Sequence, residues 1–82
     1  MFITTDLEKE QIRKQFKGIL AVNGYTMKSY CKKFNLDYFQ TYQIINRYKS
    51  IDIDKINEMV ALIEPRKKLQ VIAGSWVISV KF

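Results

Sequence analysis

The stretch Gly24-Tyr25-Thr26-Met27-Lys28-Ser29-Tyr30-Cys31-Lys32-Lys33-Phe34-Asn35-Leu36-Asp37-Tyr38-Phe39-Gln40-Thr41-Tyr42-Gln43-Ile44-Ile45-Asn46 reads as two short helices joined by a tight turn. Thr26 is placed to cap a helix over Met27 to Phe34, in which Tyr30, Cys31 and Phe34 fall at helical spacing. Asn35 stops it, because asparagine tolerates positive φ better than other non-glycine residues, and Asn35-Leu36 then forms the turn. Asp37 caps the next helix, with Gln40 three residues later completing a capping box. This third helix is expected from Tyr38 to about Tyr48, with Thr41, Ile44, Ile45 and Tyr48 facing inward.

Upstream, Thr5 and Glu8 have capping-box spacing and announce a first helix that runs to about Val22. Ile12, Phe16, Ile19 and Leu20 form its apolar stripe, Lys9, Arg13, Lys14 and Lys17 stay off it, and Asn23-Gly24 ends it. Downstream, Asp52 or Asp54 starts a fourth helix with the stripe Ile56, Met59, Val60 and Ile63, which Pro65 stops. From Lys67 to Phe82 the character changes to β-branched residues on either side of Gly74-Ser75. A hairpin turning at Gly74-Ser75 pairs Ala73 with Trp76, Val71 with Ile78 and Leu69 with Val80 on one face. A fifth helix is the alternative, because Leu69, Ile72, Ala73 and Trp76 also fit a helical stripe. The fold class is therefore mainly α: one domain over residues 1–82, with a compact four-helix unit at 6–63 and a C-terminal β-hairpin at 67–82.

The chain has 82 residues, enough for one core, and 48% hydrophobic content with few Gly or Pro suits a globular protein. Cys31 is the only cysteine and histidine is absent, so an internal disulfide and a Cys/His zinc site are excluded and a reducing compartment is the natural reading. No leader or membrane-spanning apolar run is apparent, so a cytoplasmic protein with no membrane partner is expected. The net charge of +6 is concentrated: Gln11 to Ile51 holds eight basic residues (Arg13, Lys14, Lys17, Lys28, Lys32, Lys33, Arg47, Lys49) against Asp37 alone, a balance of +7. An anionic partner is implied. Without histidine, without a partner for Cys31 and without a phosphate-cradling glycine loop, no catalytic residue, metal site, cofactor or small-molecule substrate is expected.

Gly24-Tyr25-Thr26, the run from Tyr30 to Asp37, and Thr41, Ile44 and Asn46 give the chain its likeness to a known family. From roughly Phe16 to Ile63 it resembles the phage repressor and Cro-like helix-turn-helix proteins. Cys31 stands for the family's small alanine, Asn35 for the turn glycine, Met27 for a phosphate-binding glutamine and Arg47 for the glycine that often follows the recognition helix. The resemblance implies a DNA-binding regulator, most simply a repressor of a phage or mobile element. It makes Tyr38 to Asn46 the recognition helix in the major groove of double-stranded DNA. Tyr38, Phe39, Gln40, Tyr42 and Gln43 are then the base-contacting candidates, with Gln43 suited to adenine and Phe39 to a thymine methyl. Lys28, Lys32, Asn46, Arg47 and Lys49 are the phosphate-contacting candidates.

Two further readings stay open. The aromatic residues of the third helix also suit a protein-interaction module that docks in a partner's groove, whereas single-stranded RNA needs a more open stacking platform. The hairpin face, with Leu69, Val71, Trp76, Ile78 and Val80, is a dimerisation candidate that would set two recognition helices on half-sites about 34 Å apart. Met1 to Thr5 offers a third strand that could shield a hairpin edge instead.

Overall fold

Local capping sets the helices of this computed structural model, which describes residues 1–46 and 49–81. Helix α1 spans Asp6–Val22 and ends in a Schellman arrangement: Tyr25 N–H donates to Leu20 O at 2.8 Å and Gly24 N–H to Ala21 O at 3.0 Å, with Gly24 at φ 78°. Helix α2, Met27–Lys33, begins with a full capping box in which Thr26 is partnered by Ser29. It ends one residue sooner than expected, with Phe34 as C-cap, Asn35 at φ 55° and Leu36 N–H on Cys31 O at 2.8 Å. Asp37 then accepts from Gln40 N–H at 2.8 Å and opens α3, Tyr38–Asn46. Helix α4, Ile53–Ile63, starts on Asp52, whose side chain accepts from Asp54 N–H.

The Thr5 and Glu8 capping box does not form. Thr5 is the N-cap of α1, but its hydroxyl donates to the Glu8 carboxylate at 2.7 Å and caps no backbone donor. Glu8 is turned toward the C-terminal hairpin, where it accepts from the Trp76 indole N–H at 2.7 Å.

Four strands complete the chain in two antiparallel pairs. The short strands β1, Phe2–Ile3, and β2, Ile51–Asp52, pair with each other, so the N-terminus closes over α4 and not over the hairpin. The hairpin itself, β3 at Lys67–Ile72 and β4 at Ser75–Val80, settles the choice against a fifth helix. Its turn differs from the expected one. Ala73 and Gly74, at φ 52° and 79°, are the two turn residues, so Val71 pairs with Trp76 and Leu69 with Ile78. Moving the turn back one residue changes each partner by two, which preserves alternation: Leu69, Val71, Trp76, Ile78 and Val80 still share a face, and only Ala73 leaves it.

That face packs within the chain. Strand β4 lies along α1 and β3 along α4. Leu69 and Trp76 are buried in the core, Ile78 is half-buried, and only Val71 and Val80 of the dimerisation candidates are exposed. Both hairpin edges are also occupied. Trp76 N–H and Ile78 N–H donate to the side-chain oxygens of Gln11 and Gln15 at 3.2 and 2.9 Å, and Leu69 N–H donates to that of Asn57 at 2.7 Å. These side chains take the place that another strand would fill.

Every element contributes to the core, from Ile3 in β1 and Ile45 in α3 to Trp76 in β4. At its centre Tyr30 is fully buried, edge-on to Phe16 with ring centroids 5.8 Å apart, and its hydroxyl donates to Met59 O of α4 at 2.7 Å. Burial, and secondarily Cys31 beside it, pushes the phenol well above its ordinary pKa, so it stays a donor. The Cα radius of gyration, 11.9 Å, is close to the value of about 12 Å expected for a compact chain of this length.

Two outcomes follow from this architecture. Ala73 holds a left-handed conformation that costs an L-residue with a Cβ roughly 1 kcal/mol. Ala73→Asn, which gives the Asn-Gly pair that such turns favour, is expected to raise the unfolding free energy by about 0.5–1 kcal/mol in urea titration. The hydrogen bond from Trp76, and then that from Thr5, hold the Glu8 carboxyl below its usual pKa. Its stabilising contribution is complete above the ordinary glutamate range and is lost as pH falls below about 4, where the unfolded chain takes up the proton first. Glu8→Gln keeps an acceptor for Trp76 but removes the titration. The acid-induced change in Trp76 fluorescence is therefore expected to be shallower in the variant, and an unchanged acid profile would refute this role.

Candidate nucleic-acid interface

The exposed side of α3 follows from its periodicity. Thr41 and Ile45 are buried and Ile44 is half-buried, which turns the opposite side outward. Phe39 is 67% exposed, Tyr38 and Tyr42 are exposed with ring centroids 6.1 Å apart, Gln40 is exposed, and Gln43 and Asn46 are half-buried. All five base-contacting candidates thus reach the surface of one helix. Tyr48, expected on the inward side, lies outside the described residues.

The neighbouring cations come from α2. Lys28 places its ammonium 5.9 Å from the centroid of the Tyr38 ring, a cation–π contact that joins the start of α2 to the start of α3. Lys32 and Lys33 are exposed in the last turn of α2, and Lys49 is exposed beyond α3. Among the described residues no carboxylate forms an ion pair with any of these four lysines. The acids are engaged elsewhere: Asp6 with Lys9, Glu10 with Arg13, Glu58 with Lys55, Glu64 with Lys67, and Asp54 with the N-terminal amine. Asp37 spends its charge on a helix cap. Arg47, a phosphate-contacting candidate, lies outside the described residues.

Comparison of the chain with known protein families, with curated proteins and with solved structures finds no match.

Two cations of α1, Arg13 and Lys9, have an internal role that periodicity does not reveal. Arg13 donates from Nε to Ile45 O at 2.6 Å and from a terminal nitrogen to Asn46 O at 3.4 Å, so α1 holds the carbonyls at the end of α3. Lys9 is buried and donates to Lys49 O at 2.9 Å, just beyond. Cations at this end of a helix meet both unpaired carbonyls and the negative end of the helix dipole. Arg13 is thus a positioning residue for α3. Lys14 faces the other way, into a shallow groove of about 220 Å³ that it shares with Gln15, Gly18, Ile19 and Lys67.

Among the described residues no group of three or more His, Cys, Asp or Glu side chains comes together, and no helix is long and apolar enough to cross a membrane. Cys31 is buried in the core. What the surface of α3 offers is hydrogen-bonding amides and hydroxyls, aromatic rings and flanking positive charge.

Arg13→Met keeps an apolar stem but removes the donors to α3. It is expected to lower stability by about 1.5–3 kcal/mol, the range for hydrogen bonds from charged groups. Lys14→Met removes the same charge from the exposed side of α1 and should change stability by less than about 0.5 kcal/mol. Urea titration of the two variants measures the difference, and equal losses would mean that Arg13 acts only through net charge.

Proposed function

We propose that the protein binds double-stranded DNA sequence-specifically through a helix-turn-helix formed by α2 and α3, as a transcription regulator and, following the family it resembles, as a repressor of a phage or mobile element. The observation that carries the reading is the surface of α3: exposed amide and aromatic side chains flanked by lysines of α2 that, among the described residues, form no ion pair with an acid. In this arrangement α3 enters the major groove while α2 crosses the backbone, so Lys28 and Lys32 meet phosphates on one side of the groove and Lys49 on the other. Base discrimination then falls to Tyr38, Phe39, Gln40, Tyr42 and Gln43. For two-fold pairing on a palindromic operator, the exposed members of the hairpin face are Val71 and Val80.

The exposure of Phe39 favours a second reading, a docking helix for another protein, since aromatic residues are typical anchors of such interfaces. Ionic strength separates the two. Duplex binding is expected to weaken steeply between about 50 and 200 mM salt, because each phosphate contact releases condensed counterions. Replacing Lys28, Lys32 and Lys49 together by alanine should weaken binding to all sequences alike and lower the magnitude of the salt slope by about 3. Duplex affinity indifferent to salt would remove this reading in favour of the protein-docking one.

A further inference from the structure

We propose that the DNA half-site read by α3 is made of A·T base pairs, with Gln43 as the adenine reader and Phe39 packing on thymine methyls; this rests on the duplex-binding function proposed above. Each base edge in the major groove asks for a different chemistry. Guanine presents two acceptors and is met by Arg or Lys, cytosine presents an amino donor and is met by a carboxylate, adenine presents an acceptor beside a donor and is met by a carboxamide, and thymine presents a methyl group. From Tyr38 to Asn46, α3 contains no charged residue. The acid at its start, Asp37, serves as the helix cap, accepting Gln40 N–H through one carboxylate oxygen. The lysine beside it, Lys28, sits over the Tyr38 ring at the margin of the helix. Among the described residues, the surface of α3 is therefore equipped for adenine and thymine and carries no arginine, lysine or carboxylate of its own for guanine or cytosine.

The hydrogen bonds distinguish the three carboxamides of α3. Asn46 donates from Nδ2 to Tyr42 O at 3.2 Å, which ties its amide along its own helix. The side-chain amides of Gln40 and Gln43 make no hydrogen bond among the described residues. At 3.6 residues per turn, Gln43 lies about 40° around the helix from Phe39 and Gln40 about 100° from it, while buried Thr41 and Ile45 lie on the far side. Gln43, half-buried, is thus the untied amide one turn along from the exposed Phe39 ring. An A·T pair shows the N7 and N6 of adenine and the thymine methyl along one groove edge, so Gln43 and Phe39 together match what that pair displays.

The test begins with selection of binding sites from random duplex DNA by the full chain, where half-sites with a run of A·T pairs are expected. On the selected duplex, 7-deazaadenine removes the N7 acceptor and deoxyuridine removes the thymine methyl, each without altering the protein. At the critical position 7-deazaadenine should weaken binding by about 5- to 150-fold. The same change should have no further effect on Gln43→Ala, and deoxyuridine none on Phe39→Ala, with both variants verified as folded by circular dichroism. Enrichment of G·C pairs at the centre of the half-site, or indifference of the unaltered protein to 7-deazaadenine, would overturn the inference while leaving duplex binding intact. Absence of salt-sensitive duplex binding would overturn both.

Discussion

The burial of Tyr30 is the constraint on which the helical unit depends. Helix α2 has seven residues, too few to persist on its own propensity, so packing must hold it. Tyr30 supplies that packing with its ring, set between Phe16 of α1 and the flanking rings of Tyr25 and Phe34, and supplies direction with its hydroxyl, which reaches one carbonyl of α4. A large apolar body in the core is non-directional, whereas the hydrogen bond to Met59 fixes where α2 lies relative to α4. Only four residues separate α2 from α3, so the position of α3 follows from that of α2 at one end. At its other end it is held by Arg13. The outward face of α3 is thus presented by a frame fixed at both ends, although its own residues contribute little to the core beyond Thr41 and Ile45.

What could be read from the sequence divides by the range of the interaction. Helix limits and the outward residues of α3 were legible because capping and periodicity are local: Thr26, Asn35 and Asp37 act within three or four residues of themselves. The apolar face of the hairpin was legible too, since alternation fixes which residues share a face. Its pairing was not, because Ala73-Gly74 and Gly74-Ser75 both give turns that preserve alternation, and the choice between them belongs to the packing of Trp76 and Leu69 on the helices. The pairing of Phe2–Ile3 with Ile51–Asp52 involves two residues on each side, too short to leave a pattern. In the candidate site, the aromatic and amide residues of α3 could be found from spacing alone. The tie between Asn46 and Tyr42 O could not, because nothing in the residue type distinguishes an amide bound to its helix from one left available.

The same limit applies to charge. As a sequence, Arg13 and Lys28 belong to one basic segment, but folding sends one inward to backbone carbonyls and the other to the rim of α3. Acidic partners are recruited at short range, mostly three residues away along a helix, and such exposed pairs contribute little individually. Their effect is one of distribution: the paired acids lie on α1, on α4 and just before the hairpin, and among the described residues none pairs with Lys28, Lys32, Lys33 or Lys49.

The glutamines that close the edge of β4 also impose an order on folding. Gln11 and Gln15 meet backbone groups 65 and 63 residues further along the chain, and Glu8 meets Trp76 across 68. An isolated two-stranded hairpin is marginally stable, and contacts of such sequence separation carry a large loop-closure cost before they return any stabilisation. The hairpin therefore docks after the helices have assembled, onto a surface they provide. For as long as the hairpin is undocked, Glu8, Gln11 and Gln15 have only water to meet, and one side of α1 stays uncovered.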